Sequence, residues 1–271
     1  MNPLRPNAAF VVPSPADLAT VQHPSGADRA PRRGSRIEIR TIAVGRHPRP
    51  GAEELFLDYG RFRGWMYVIN EITTSASLHS DGTDFDRYDD HAVHLAAVET
   101  VWSDDGVEEQ VVGATRLILD IGRDDHPYAR AGLRPGLGRL PVEQHFPEMA
   151  EAIDLRDDRV RIEVSRYAAT HRRPALQRRT TLALREGIAA HFVNAGGEGA
   201  YAVLEEPLAT RLGRDGVRLK RLTEPRLLPE YGSVNFGVWI DLRRLADELD
   251  CAITGRSPLD VTIGVHDAVG R

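Results

Sequence analysis

The segment 159–173, with the sequence RVRIEVSRYAATHRR, constrains the fold more than any other part of the chain. Apolar and polar residues alternate along its first half, which is the period of a β-strand. The polar face of that strand carries Glu163 and Ser165, an acid and a hydroxyl group two residues apart. The strand then leads through a basic loop, His171 to Pro174, into a predicted helix. Such a face belongs either to an edge strand wetted on one side or to the wall of a functional site.

Hydrophobic periodicity over the rest of the chain predicts an α+β protein with a mixed sheet. Further strands are predicted at 36–44, 91–99, 110–119, 200–204, 217–222 and 233–242. Helical spacing predicts helices at 52–70, 175–194, 206–212 and 242–249. Gly60 and Gly64 weaken the first helix and would permit a break there.

The predicted elements form a single domain, residues 36–250. Residues 1–35 are rich in proline and small residues and cannot bury enough apolar surface, so we expect a flexible N-terminal arm. Residues 251–271 are expected to form a loose C-terminal tail.

Composition excludes several classes of protein. The 35 basic and 40 acidic residues give a net charge of −5, which argues against a dedicated nucleic-acid binder. The one cysteine, Cys251, excludes an internal disulfide framework. No apolar run approaches the ~18 residues of a membrane span, and no signal-peptide pattern is present. We therefore expect a cytoplasmic protein without a membrane span.

Metal-dependent and serine-nucleophile chemistry are not indicated. The histidines show no H-E-x-x-H pattern, and His91 and His94 lie three apart on a predicted strand, on opposite faces. A G-x-S-x-G motif is absent as well. No metal site is predicted.

Two groups of charges accompany the central strand. Arg116 is the charged residue inside the strand 110–119 and needs a partner, and the acids at 84–90 are the candidates. Gly113 in the same strand indicates a bulge or a close backbone approach. A basic group lies at the start of the predicted helix after the central strand: Arg172, Arg173, Arg178 and Arg179. These arginines belong either to a solvated surface or to a site for phosphate or an acidic protein.

Acyl transfer to an amine fits these residues. The incoming nitrogen needs a base, and Glu163 in the middle of the sheet is placed for that role, because burial would raise its pKa into a useful range. A backbone N–H at a strand bulge can stabilise the oxyanion.

Four motifs, in this order, resemble those of the acyl-homoserine-lactone (autoinducer) synthase family of GNAT N-acyltransferases and its exosortase-associated branch. They are Asp86-Arg87-Tyr88-Asp89 (D-x-[FY]-D), Val112-Gly113-Ala114-Thr115-Arg116-Leu117 (V-G-x-x-R-L), Leu140-Pro141-Val142-Glu143-Gln144-His145 (L-P-[IV]-E-x-H) and Glu163-Val164-Ser165-Arg166-Tyr167 (E-x-S-R-[FY]). The resemblance covers residues 53–242 and implies a GNAT-like three-layer α-β-α sandwich with a mixed, mostly antiparallel central sheet.

The resemblance also implies roles for individual residues. Glu163 would be the base, with Ser165 and Arg166 in the same site. Acceptor binding is implied for Asp86, Asp89, Arg116, Arg63 and Tyr67. Strict alternation puts Arg166 on the face opposite Ser165, so a bulge or twist of the strand is required if both serve one site.

The implied reaction moves a fatty acyl group from an acyl carrier protein or a coenzyme A thioester to an amino-acid-like acceptor. The acceptor is either S-adenosylmethionine, giving an acyl-homoserine lactone for quorum sensing, or a free amino acid. The stretch after Tyr67 lacks the family's tryptophan, which leaves both acceptors open.

Two alternatives are a catalytically silent acyl-thioester or lipid-binding module and an ordinary acetyl-CoA-dependent acetyltransferase. The loop 172–177 lacks the glycine of the acetyltransferase pattern [QR]-x-x-G-x-[GA], which favours a carrier-protein donor.

Overall fold

The computed structural model describes residues 34–70, 75–104, 106–152, 160–171, 173–197, 199–229, 231–242 and 262–265. The predicted arm lies outside these ranges except for Gly34 and Ser35, which belong to the first strand. The helix predicted at 242–249 lies outside them beyond Leu242, as does Arg172.

The described strands form one mixed sheet of ten strands. Their bounds are β1 Gly34–Val44, β2 His47–Pro48, β3 Ala92–Ser103, β4 Gly106–Asp120, β5 Arg161–Ala169, β6 Ala200–Glu205, β7 Leu219–Arg221, β8 Arg226–Leu228, β9 Ser233–Ile240 and β10 Thr262–Val265. The order across the sheet is β10-β1-β3-β4-β5-β6-β9-β7, with β2 beside β1 and β8 beside β9. Within the described ranges β5 and β6 are parallel and the other pairs antiparallel. The mixed, mostly antiparallel sheet is therefore confirmed.

Helices cover both faces of this sheet. Their bounds are α1 Glu53–Ile69, α2 Pro127–Arg130, α3 Pro141–His145, α4 Met149–Ala152, α5 Pro174–Ala195 and α6 Glu206–Arg214, with 3₁₀ turns at Ser75–Ser77 and Arg87–His91. In β3, Leu95 and Ala97 share a core cluster with residues of α5, whereas Ala96 and Val98 share one with residues of α1. Successive residues of a strand face opposite sides, so α1 and α5 are the two outer layers of an α-β-α sandwich.

The boundaries of α5 follow from its end residues. Pro174 occupies the first turn, where its missing N–H costs nothing. Gly196 closes the helix in the left-handed conformation, with φ of 70°, and its N–H bonds to carbonyls of the last turn.

The break that Gly60 and Gly64 would permit does not occur, because α1 continues through both residues. A Cβ at position 64 would lie 2.7 Å from the carbonyl oxygen of Gly82. Glycine is required there for close packing, which outweighs its low helix propensity.

The loose tail expected at 251–271 is wrong for Thr262–Val265. These residues pair antiparallel with Ile37 to Arg40 of β1. Without β10 this part of β1 would be a sheet edge with unpaired N–H and C=O groups, and pairing satisfies them.

The strands β5 and β6 diverge at Glu163. Their ladder contains two register pairs, Ile162 with Ala200 and Glu163 with Tyr201. β5 continues to Ala169 and β6 to Glu205 without further pairing between them in the described ranges. The result is a gap in the sheet that opens beside Glu163.

Candidate active site

Glu163 is a buried acid at the point where β5 and β6 diverge. It is 3% exposed, and its Oε2 accepts a hydrogen bond of 2.7 Å from the backbone N–H of Val142. Burial raises the pKa of Glu163 to about 8, against the opposing effects of the Val142 N–H and of Arg116. A carboxyl with this pKa is partly ionised at neutral pH and can accept a proton there.

The strand β5 bulges directly after Ser165. Its register with β4 shifts between Ala114 and Arg116, and Arg166 has the left-handed φ of 58°. The bulge brings the Arg166 guanidinium 4.3 Å from the centre of the Tyr67 ring and 3.5 Å from Asp86. The expected distortion of the strand is therefore confirmed.

Arg116 connects the acids at 84–90 to Ser165. Its Nη1 donates to Asp86 at 2.7 Å and to Asp89 at 3.0 Å, and its Nε donates to the Ser165 hydroxyl at 3.2 Å. The pairing predicted for this buried arginine is confirmed. Since the Ser165 oxygen accepts from Arg116, its own proton remains free to donate to a bound group.

Arg63 closes the cluster from α1. This arginine is 1% exposed, donates to Asp89 at 3.0 Å and pairs with Asp84 at 2.9 Å. Asp84 also lies 3.4 Å from Arg166, a contact that the sequence motifs do not include. Asp84 could have been found from the sequence, because it belongs to the acidic run 84–90. Three arginines and three aspartates leave this cluster with no net charge.

Electrostatics keep Asp86 and Asp89 ionised. Burial alone would raise the pKa of Asp89, but Arg63 and Arg116 outweigh it and hold that pKa far below its usual range. Burial likewise acts to raise the pKa of Asp86, but the attraction of Arg116 outweighs it and lowers that pKa. The cluster is thus a fixed arrangement of charges, while Glu163 beside it remains able to titrate.

A second group of contacts, around α3, surrounds Glu163. Val142 is the donor to Glu163, and the adjacent Glu143 is 2% exposed and pairs with Arg161 of β5. The motif at 140–145 contains Val142 and Glu143, but the sequence indicated neither of these contacts. The contact from Val142 could not be predicted, because its donor is a backbone N–H that any residue but proline has. The available signal was Glu143, an acid next to the apolar residues of this motif.

The basic group lies at the start of α5, beyond the end of β5. Arg173 is the N-cap residue, Arg178 is exposed and Arg179 is partly exposed. The first turn of α5 contains no acid. The N–H of Arg173 donates to His171 at 3.0 Å, which fixes the turn into the helix. This is a positive helix N-terminus of the kind that attracts anions.

No helix in the described ranges is long and apolar enough to cross a membrane. Over the same ranges, no three His, Cys, Asp or Glu side chains are grouped as metal ligands would be.

No family model and no curated protein matches the sequence. Solved structures do. The CoA-dependent acyl-homoserine lactone synthase BjaI, with SAM and isopentyl-CoA, is 21% identical, covers 81% of this chain and 90% of its own, and has a TM-score of 0.55. TofI in a ternary complex with an inhibitor and MTA is 20% identical, over 79% of this chain and 98% of that one, with a TM-score of 0.52. The CoA-dependent acyl-homoserine lactone synthase MesI is 19% identical, over 82% of this chain and 100% of that one, with a TM-score of 0.50.

These likenesses establish the fold. The chain has the architecture of the acyl-homoserine lactone synthases, and the GNAT-like α-β-α sandwich that the motifs implied is confirmed.

Proposed function

We propose that the protein is a cytoplasmic N-acyltransferase that moves a fatty acyl group from a thioester to the amine of an amino-acid-like acceptor. The observation that carries the proposal is Glu163, a buried carboxyl with a pKa of about 8 beside the gap between β5 and β6. The shared fold with acyl-homoserine lactone synthases supports it.

Glu163 acts as the general base in this reaction. The amine nitrogen attacks the thioester carbonyl carbon and forms the C–N bond, while Glu163 takes a proton from that nitrogen. The tetrahedral oxyanion collapses, the C–S bond breaks and the thiolate leaves to be protonated. The products are an amide and a free thiol, and no covalent enzyme intermediate is required. The Ser165 hydroxyl is a donor for the charge that develops next to Glu163.

The acyl donor occupies the gap between β5 and β6. Past Glu163 the backbone of β5 has no ladder partner on β6 within the described ranges. Those N–H and C=O groups of β5 that face β6, rather than β4, are therefore available to the amide groups of a pantetheine arm. Coenzyme A and an acyl carrier protein both carry such an arm.

The anionic part of the donor binds at the start of α5. The N-cap and the first two turns of that helix carry Arg173, Arg178 and Arg179, and Arg172 precedes them in sequence. This end of the helix is its positive end. Either the phosphates of coenzyme A or the acidic surface of a carrier protein fits this charge. The isopentyl-CoA in the BjaI structure supports a coenzyme A donor.

The acceptor is zwitterionic, because the charged cluster presents both signs of charge. Arg166 lies over the Tyr67 ring, makes long contacts of 3.4 Å to Asp84 and 3.5 Å to Asp86, and keeps 22% of its side-chain surface exposed, so we assign the carboxylate of the acceptor to it. Asp86 is the more exposed acid and suits a cationic group. S-adenosylmethionine fits both, and the SAM in the BjaI structure supports it. A free amino acid is the other candidate.

Thiol release from purified protein tests the function. Acetyl-CoA, longer acyl-CoA thioesters and acyl carrier protein thioesters are combined with S-adenosylmethionine or with free amino acids, and the amide is identified by mass spectrometry. We expect release with a fatty acyl donor, and a loss of about 100-fold or more in Glu163→Gln, the usual effect of removing a general base.

Each negative result has a distinct meaning. Binding of acyl thioesters without thiol release by any pair would support the silent binding module instead. A strong preference for acetyl-CoA would support an ordinary acetyltransferase. Undiminished release by Glu163→Gln would exclude Glu163 as the base.

A further inference from the structure

The turn at α3 is built against Glu163. Pro141 occupies its first position and has no N–H, so the first helical residue that can donate is Val142. Val142 is fully buried, and its N–H points at Glu163, with a donor–acceptor distance of 2.7 Å. A backbone N–H is therefore aimed at the carboxylate from a rigid turn.

Glu143 fixes the start of that turn. One carboxylate oxygen, Oε2, accepts the N–H of Leu140, the N-cap residue, at 2.9 Å. The other oxygen, Oε1, accepts from Arg161. A buried carboxylate needs such partners, since an unpaired charge there would be strongly unfavourable.

Arg161 ties the turn to the strand that carries Glu163. It lies two residues before Glu163 on β5, and therefore on the same face. Besides Glu143 it bonds to Asp120 of β4 and to the carbonyl of Gly138 at 2.8 Å. The Arg161 guanidinium thus connects α3, β4 and the loop before α3 to the strand that carries Glu163.

We propose that Arg161 and Glu143 are positioning residues, a clamp that keeps the Val142 N–H on Oε2 of Glu163 and leaves Oε1 to face the acceptor amine. The catalytic meaning of the clamp rests on the proposed role of Glu163 as the base. Neither residue touches the substrate. The clamp acts on the orientation of the carboxylate and on the pH at which it loses its proton.

The charges around Glu163 define what the clamp does. Arg116 faces it from β4, Arg166 from β5 and Glu143 from α3, while Tyr201 lies opposite on β6. The hydrogen bond from Val142 favours the ionised carboxylate, and the negative charge of Glu143 disfavours it. Loss of Arg161 both loosens the hydrogen bond and leaves the Glu143 charge unpaired, and both effects raise the pKa of Glu163.

The clamp is tested on the free protein, without substrate. The carboxyl band that disappears from the infrared spectrum in Glu163→Gln reports the titration of Glu163. In Arg161→Met the midpoint is expected to rise by about one to two pH units, the value of a hydrogen bond to a charged group. The double variant Arg161→Met/Glu143→Gln removes both charges, so a rise of about one unit that persists there reports the lost hydrogen bond.

The outcomes separate the clamp from its alternatives. A wild-type midpoint in the double variant would show that only charge acts, and an unshifted Arg161→Met would show that no clamp exists. Arg161→Lys keeps the cation but cannot hold all three partners, so a smaller rise is expected, and it replaces Arg161→Met if the latter does not fold. The exposed pair Arg221 and Glu206, changed to Met and Gln, is the matched control and should leave the midpoint unchanged.

Kinetics extend the same test. If the protein releases thiol, the acidic limb of its pH–rate profile should move with the infrared midpoint, while the donor KM stays constant. If the protein does not release thiol, the infrared titration still decides whether the clamp exists. Failure of the clamp and failure of the proposed function therefore remain distinguishable.

Discussion

Replacement of Glu163 by glutamine should stabilise the fold at alkaline pH while it removes activity. The pKa of this carboxyl is raised by burial from 4.5 to about 8 in the folded chain. Its favourable contribution to folding is therefore complete below about pH 4.5, decreases as the pH rises and is lost above about pH 8. The difference corresponds to about 4 to 5 kcal/mol of unfolding free energy, or about 1.4 kcal/mol for each pH unit in that window. Glutamine carries no charge and can still accept the Val142 N–H, so it avoids this loss.

Urea unfolding at several pH values between about 5 and 9 measures this effect. The free energy of unfolding of Glu163→Gln minus that of the wild type should increase across this range and level off above about pH 8. The exposed Glu108→Gln is the matched control and should show a constant difference. A difference between Glu163→Gln and wild type that does not change with pH would refute the assignment of a raised pKa to Glu163.

Two further predictions concern backbone geometry. Arg166→Gly and Arg166→Ala lose the same side-chain contacts, but the φ of 58° at this position strains only the alanine. The glycine variant should therefore be more stable by about 1 kcal/mol in urea unfolding. Equal stabilities of the two variants would argue against the bulge. Gly64→Ala should destabilise the protein by about 1 to 3 kcal/mol because its Cβ meets the Gly82 carbonyl, whereas Gly213→Ala in α6, with open space around it, should stabilise by about 0.5 to 1 kcal/mol. Thermal unfolding of both variants checks this, and a higher Tm for Gly64→Ala would contradict the packing.

Local pattern was enough to predict most of the sheet. The alternation of β5 and the helical spacing of α5 with Pro174 and a terminal glycine are strong signals that depend on neighbouring residues alone. The partner of Arg116 could also be predicted, because a buried charge requires a compensating one and the acidic run was nearby.

Long-range pairing and backbone donors could not be predicted in this way. The four residues of β10 pair with β1 across more than two hundred residues, and nothing in their short apolar pattern specifies that partner. The N–H that Val142 donates to Glu163 belongs to the backbone, so no residue type announces it. Whether the glycines of α1 break the helix could not be decided from helix propensity, because propensity says nothing of what packs against Gly64.

The pH dependence of thiol release tests the central claim most directly. In the purified protein, kcat/KM for acyl transfer should rise with pH to an inflection at about pH 8, the pKa of Glu163 in the free enzyme. Glu163→Gln should lose both the activity and the inflection. The same inflection persisting in Glu163→Gln, or a profile without an acidic limb, would contradict the role of Glu163 as the base.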